Sequence, residues 1–243
     1  MIKLIESKND ITASEDNPFG CKIRSVAEAY GIEEAFAQFW VQDGGSSLAK
    51  LDDTAVLEDR ESDWDELAGF LRMLDVKTVS CSEKAAGCLG FPVSSRGEIM
   101  LLRGTADKNH SSEAERNPGP REIYALLCAA RSDTFVPPEF EPFYMDLSYR
   151  TRHGAAMSIG IRSGGVLVAC ALCSSMTERA AVLSAVAVLP QFRHKGFGRS
   201  AVTALTGLLN RERIFLLRAD GANEEFYRSM GFVPSGRWAE IHF

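Results

Sequence analysis

The chain has 243 residues, 45% of them hydrophobic and 25% charged, with a formal net charge of −6. That balance belongs to a folded protein and excludes disordered and collagen-like chains, while the length admits one large domain or two small ones. The negative charge serves solubility first and draws a cationic substrate such as an amine only weakly; with no long basic stripe, nucleic acid is not an expected partner.

Residues 1–8 (MIKLIESK) carry charges where a secretion leader needs an unbroken apolar stretch, and no segment reaches transmembrane length. The expectation is a cytoplasmic protein with no membrane partner. Cys21, Cys81, Cys88, Cys128, Cys170 and Cys173 lie mostly in apolar or regular segments, as reduced, packed thiols do. Cys170 and Cys173 have redox or zinc spacing, but they fall in a strand-like run, where residues three apart point to opposite faces.

In chain order, residues 21–30 and 33–40 read as helices, 46–58 as a hairpin, 64–74 as a helix, and 76–81 and 98–102 as strands. This is a small α/β unit without a glycine-rich phosphate loop. Its acidic cluster, Asp52, Asp53, Glu58, Asp59, Glu61, Asp63, Asp65 and Glu66, lacks the spacing of a calcium loop and suits a solvated face and a helix start, so no metal is expected. Residues 104–120 have no apolar periodicity and end in turn formers. The expected organisation is an N-terminal α/β domain at 1–104, a linker at 105–120 and a second domain at 121–243.

Beyond the linker, 121–131 and the aromatic-rich 140–152 read as helices, and 156–161, 166–174 and 180–189 as strands. A helix at 198–210, a strand at 213–218 and a short helix at 224–230 complete the series. The order implies a mixed sheet covered by helices. Pro190 ends the apolar strand, since proline cannot donate to a ladder, and Arg193-His194-Lys195-Gly196-Phe197-Gly198-Arg199 follows at the start of a helix. Glycines let the backbone approach a phosphate, and first-turn N–H groups and the helix dipole supply positive potential, so the ligand should be an anionic, phosphorylated cofactor. Gly198 is followed by Arg199 rather than lysine, which removes the nucleoside-triphosphate loop. Gly196 to Ala201 does satisfy the G-x-G-x-x-A dinucleotide fingerprint, but Pro190 to Lys195 separate it from its strand.

The stretch 188–198 (VLPQFRHKGFG) resembles the cofactor motif of the GCN5-related N-acetyltransferase (GNAT) family, [QR]-x-x-G-x-[GA], with Arg193, Gly196 and Gly198 in its defining positions. Residues 224–232 (EEFYRSMGF) resemble the helix that closes that fold. The resemblance spans about 120–243. It implies a mixed, mostly antiparallel α/β sheet flanked by helices, and acetyl-coenzyme A as cofactor. It further implies transfer of an acetyl group to a primary amine, small or peptide-borne. The N-terminal domain would be a reduced, cofactor-free relative of the same fold. Val186, Ala187 and Val188 would hold the pantetheine arm by strand addition, and residues 193–199 the diphosphate. Tyr227 would be the acid that protonates the leaving thiolate. Asp220 stands where family members often carry an asparagine, with Asn223 nearby, so either is a candidate contact to the cofactor arm. Glu178 and Glu240 are candidate bases without a motif behind them. His194 reads as an added cation, and His153 has no assigned role. The aromatic helix would lie over the acceptor site: Phe140 and Phe143 read as core, Tyr144 and Tyr149 as pocket formers, Glu139 and Asp146 as recognition groups for a cationic acceptor. The rival reading is a module that binds coenzyme A without turnover. A homodimer is left open.

Overall fold

The computed structural model describes residues 1–104, 114–132 and 135–243. Contacts divide the chain into two compact units, Met1–Met100 with Leu217–Gly221 and Pro234–Phe243, and Leu101–Leu216 with Ala222–Val233.

The first unit holds β1 (Ile2–Leu4), α1 (Pro18–Tyr30), β2 (Ala37–Gln42), β3 (Ser47–Leu51), β4 (Thr54–Glu58), α2 (Trp64–Met73), β5 (Thr78–Ser82), α3 (Glu83–Leu89) and the start of β6 (Val93–Arg103). β1 to β4 form an antiparallel meander, with Trp40 opposite Leu48 and Ala49 opposite Val56. α2 then carries the chain over to β5, which runs parallel to β4. The helix expected at 33–40 is instead a turn and β2. Phe39 packs with Ile23 and Val26 of α1 on one face, Trp40 with Leu67 and Leu71 of α2 on the other. A strand buried on both faces loses the alternation that marks strands in sequence.

The second unit holds β7 (Ala114–Arg116), α4 (Pro120–Ala129), α5 (Phe140–Arg152), β8 (Met157–Ser163), β9 (Val166–Met176), β10 (Ala180–Val188), α6 (Phe197–Leu209), most of β11 (Arg213–Ala219) and α7 (Glu224–Arg228). β7 to β10 are antiparallel neighbours, and α6 connects β10 to a parallel β11. Ala187 turns toward α4 and α5, whereas Val188 meets the first turn of α6, so helices cover both faces. An antiparallel meander feeding one parallel pair is not the doubly wound sheet that the dinucleotide fingerprint requires.

β12 (Val233–His242) pairs antiparallel with β5, Ile241 opposite Val79. This departs from the expected division at 121: the last ten residues cluster with the N-terminal unit. A strand that returns to a partner far earlier in the chain leaves no local signal. Of the expected linker, 105–113 lie outside the described residues, and Ala114–Arg116 is the edge strand β7, Glu115 opposite Gly160. No described helix is long and apolar enough to cross a membrane.

Candidate functional site

β10 and β11 pair only from Ala180↔Arg213 to Leu183↔Leu216, while β10 continues along β9 to Val188↔Ala169. The register slips where they part. Val182 faces Ser175 and Leu183 faces Cys173, which leaves Ser174 out of the ladder; Ala185 then faces Leu172, which leaves out Ser184. Such bulges twist and re-aim a strand. The Leu189 N–H donates to the Val168 oxygen at 2.9 Å. By the alternation of an antiparallel ladder, Ala187 and Ala185 also bond toward β9, whereas Val186 and Val188 present their peptide groups to the open side. Of the three residues expected to hold a pantetheine arm, Ala187 is therefore turned the other way.

After a 3₁₀ turn at Pro190–Phe192, His194 (φ 60°) and Gly196 (φ 86°) both adopt left-handed backbone and bring the chain into α6. The first helical bond runs from the Ser200 N–H to the Gly196 oxygen at 3.0 Å, and no side chain caps the helix. The amides of Phe197, Gly198 and Arg199 are thus first-turn donors without an intrahelical partner. A Cβ at Gly196 would meet nothing within 4 Å, so the space above the helix start is open; one at Gly198 would come 3.2 Å from Val188 Cγ2.

The charged residues of the loop divide into two kinds. The Lys195 ammonium lies 5.2 Å from the centre of the Phe192 ring, and neither it nor the His194 ring has a hydrogen-bond partner among the described residues. Arg193 instead reaches back to the Val188 and Ala130 carbonyls, both at 3.5 Å, and Arg199 donates to the Ser229 oxygen at 3.1 Å. These two guanidiniums brace the loop and tie α6 to the end of α7.

Tyr227 sits on α7, its ring 5.0 Å from Phe226 and 5.9 Å from Phe232. Burial pushes its hydroxyl up to about 12, and that hydroxyl has no hydrogen-bond partner among the described residues. Asn223 precedes the helix in left-handed backbone (φ 54°) and makes no side-chain cap. Asp220 belongs to the first unit, where both carboxylate oxygens accept from Arg237, at 3.2 and 2.7 Å. The hydrogen bonds from Arg237 hold its carboxyl below the usual range. That guanidinium occupies the carboxylate expected to contact the cofactor arm.

Against α4 and α5 the bulge opens into a cleft of about 270 Å³, lined by apolar residues that include Leu127, Phe135, Phe143, Leu147 and Leu172, with Asp146, Ser174, Ser184 and Ala185. Phe143, read as core from sequence, faces this cleft while packing 5.6 Å from Tyr124. Tyr144 packs tilted against Phe140 at 5.7 Å, and Tyr149 stacks on His153 at 4.0 Å; none of these lines the cleft. Glu139 caps nothing at the start of α5. Asp146 accepts from the buried Arg150 at 2.7 Å, and Arg150 also donates to the Ser174 carbonyl at 2.9 Å. The Asp146 to Arg150 spacing of four on one helix is the sequence signal for this pair. The two bulged serines carried none.

Glu178 lies in the exposed turn between β9 and β10, where the Thr177 N–H donates to the Ala180 oxygen. Six residues of strand put it about 20 Å from Ser184. It stands at the paired end of β10, away from the bulge. Glu240 lies on β12 opposite Ser80 in the first unit. Cys170 and Cys173 are buried, and burial pushes both thiols up to about 12. The acidic residues of the first unit are engaged in different ways: Glu58 accepts from the Ser14 N–H and Asn17, Asp59 from Ser82, Asp53 from Lys77, and Asp63 caps α2.

The open strand edge thus leads to an uncapped helix start whose first-turn amides have no partner among the described residues. Residues 121–232 match the family described as Acetyltransferase (GNAT) family. This region, a little under half of the chain, is thus similar to the GNAT family. Among solved structures it resembles the GCN5-related N-acetyltransferase from Sphaerobacter thermophilus, with 15% identity, 99% of this chain and 94% of that one covered, and a TM-score of 0.58. The GCN5-related N-acetyltransferase from Kribbella flavida gives 19% identity over 80% and 86% of the two chains, TM-score 0.56. A tandem GNAT protein from the clavulanic acid biosynthesis pathway gives 14% identity over 99% and 97%, TM-score 0.53. Identities this low establish the shared fold. Comparison with curated proteins finds no match.

Proposed function

We propose that this protein transfers an acetyl group from coenzyme A to a primary amine, both substrates being held by the second unit. The supporting observation is the continuity of donors: the open edge of β10 leads into a loop whose amides at 194–199 have no acceptor among the described residues. An anion fits there for two physical reasons, the unpaired first-turn N–H groups and the glycine that leaves the approach clear. The same residues fit coenzyme A. Val186 and Val188 would pair with its amide-bearing arm, and the amides with Lys195 would take the diphosphate.

Bound acetyl-coenzyme A supplies an acyl thioester; the chain supplies position and protons. Ser184, left out of the register at the place where β10 leaves β11, stands where its N–H or hydroxyl would donate to a carbonyl oxygen that gains charge. Tyr227, whose hydroxyl has no partner among the described residues, would donate its proton to the departing thiolate and recover one from solvent. With Glu178 remote, the amine loses its proton to solvent and attacks as the free base.

The first unit is proposed as a second, non-binding copy of the same fold. It repeats the meander, the crossover helix and the parallel pair. The corresponding helix start is closed, however, because the Asp63 carboxylate accepts from the Glu66 N–H at 3.1 Å, and Asp59 and Glu61 add negative charge to the loop before it. Calorimetry with coenzyme A, run beside thiol release from acetyl-coenzyme A with a panel of amines, tests the reading. One site per chain together with amine-dependent release is expected. Binding without release for any amine would leave a coenzyme A-binding module, and absence of binding would remove the assignment.

A further inference from the structure

The acceptor's chemistry is written in the cleft beside the bulge. Its lining among the described residues is largely hydrocarbon, with Leu127, Phe135, Phe143 and Leu147 forming the walls and Ser174 and Ser184 the polar end next to the open strand. At about 270 Å³ it falls just below the range of drug-sized ligand sites, so it suits a small molecule.

Charge narrows the class. Among the described residues, two titratable side chains line the cleft, Asp146 and Cys173. Cys173 is buried and directs its thiol to the Ser175 carbonyl. Asp146 is joined at 2.7 Å to the guanidinium of Arg150, which is itself buried and further committed to the Ser174 carbonyl. The pair cancels: it offers no second anion for a polyamine and no spare cation for the carboxylate of an amino acid. Burying either of those charges against hydrocarbon, unpaired, costs several kcal/mol.

We propose that the acceptor is a small amine carried on an apolar, arylalkyl or alkyl group, its hydrocarbon lying between Phe143 and Leu127 and its nitrogen directed to the serines of the bulge. The assignment rests on the acetyl-transfer reading for its chemistry, though not for its binding. In the reaction the nitrogen lone pair forms the new C–N bond, the thioester C–S bond breaks, the amine proton goes to solvent, and the thiolate leaves as coenzyme A thiol with the Tyr227 proton, which solvent restores.

Initial rates of thiol release from acetyl-coenzyme A would be compared for phenethylamine, hexylamine, methylamine, spermidine and lysine. In parallel, each amine's shift of the melting temperature would be measured with coenzyme A present. Burying a benzyl group contributes about 1.5–3 kcal/mol, so kcat/KM for phenethylamine should exceed that for methylamine, spermidine and lysine by about 10- to 150-fold. Phe143→Ala should abolish that margin and Phe143→Leu, which keeps the wall apolar, should reduce it. Spermidine, lysine or methylamine matching phenethylamine in rate or in thermal shift would overturn the proposal. If no amine releases thiol yet phenethylamine alone raises the melting temperature in a Phe143-dependent way, acetyl transfer fails while the cleft assignment stands.

Discussion

Replacing Tyr227 with phenylalanine separates the fold from the chemistry. The hydroxyl has no hydrogen-bond partner among the described residues, while the ring packs on Phe226 and Phe232. Its removal leaves the packing intact, so stability should change by no more than about 0.5 kcal/mol, a melting shift within about 2 °C for a chain of this size. Coenzyme A affinity should also hold. Turnover should fall by at least about 100-fold, the lower end of what a positioned proton donor contributes and equal to about 2.7 kcal/mol of barrier. Alkaline unfolding gives an independent reading. Burial raises this phenol to about 12 from an ordinary value of 10, so its neutral form is favoured in the folded state. Between pH 10 and 12 the unfolded chain binds fewer protons than the folded one, and stability falls by about 2–3 kcal/mol across that window on this group's account. Tyr227→Phe should lessen the alkaline loss by roughly that amount, measured by urea unfolding at pH 8 and pH 11.5. A variant that turns over within twofold of the parent, judged by thiol release with a confirmed acceptor, would refute the role given to the hydroxyl.

Gly196→Ala places a Cβ on a residue at φ 86°, which costs about 1–2 kcal/mol and should lower the melting temperature by about 2–8 °C while weakening coenzyme A binding in calorimetry; unchanged affinity would argue against the loop as the anion site. Ellman titration of the native protein should count two of the six thiols, Cys88 and Cys128, because the other four are buried, and all six should react after denaturation; rapid modification of Cys170 or Cys173 would contradict their burial. Glu58→Ala leaves the Ser14 N–H and the Asn17 amide without their buried acceptor, an expected loss of about 2–4 kcal/mol by chemical denaturation with the coenzyme A affinity of the second unit unaltered. With no enzymic base at the bulge, kcat/KM should rise tenfold per pH unit up to the acceptor's own pKa; a plateau beginning near pH 6–7 would show a titrating group on the protein.

The GNAT fold of the second unit was legible because its signals are local. A buried strand ended by Pro190, two glycines at fixed spacing and an aromatic helix stopped before Gly231 each depend on neighbours a few residues away. The boundaries of α5 agree with its periodicity, and α6 begins within a residue of expectation. Four elements escaped. β1 and β7 are three residues long, α3 is short and interrupted by Gly87, and β12 contains Pro234 and Gly236; each is a strand or helix because of what lies beside it.

The site divides in the same way. Sequence alone marked the loop proposed to hold an anion, since a glycine before a helix start is a feature of consecutive residues. Tertiary structure decided which charges remain to meet a ligand. Arg193, Arg199 and Asp220 look equivalent to Lys195 in a list of charged residues, yet each is engaged by a partner brought from elsewhere in the chain. It also decided the cleft, because the slips that expel Ser174 and Ser184 arise from how β9 aligns with β10, and the wall around Phe143 forms only when α4 and α5 close over that bulge. Coulombic pairing and packing act through space, and the spacing along a chain does not record them.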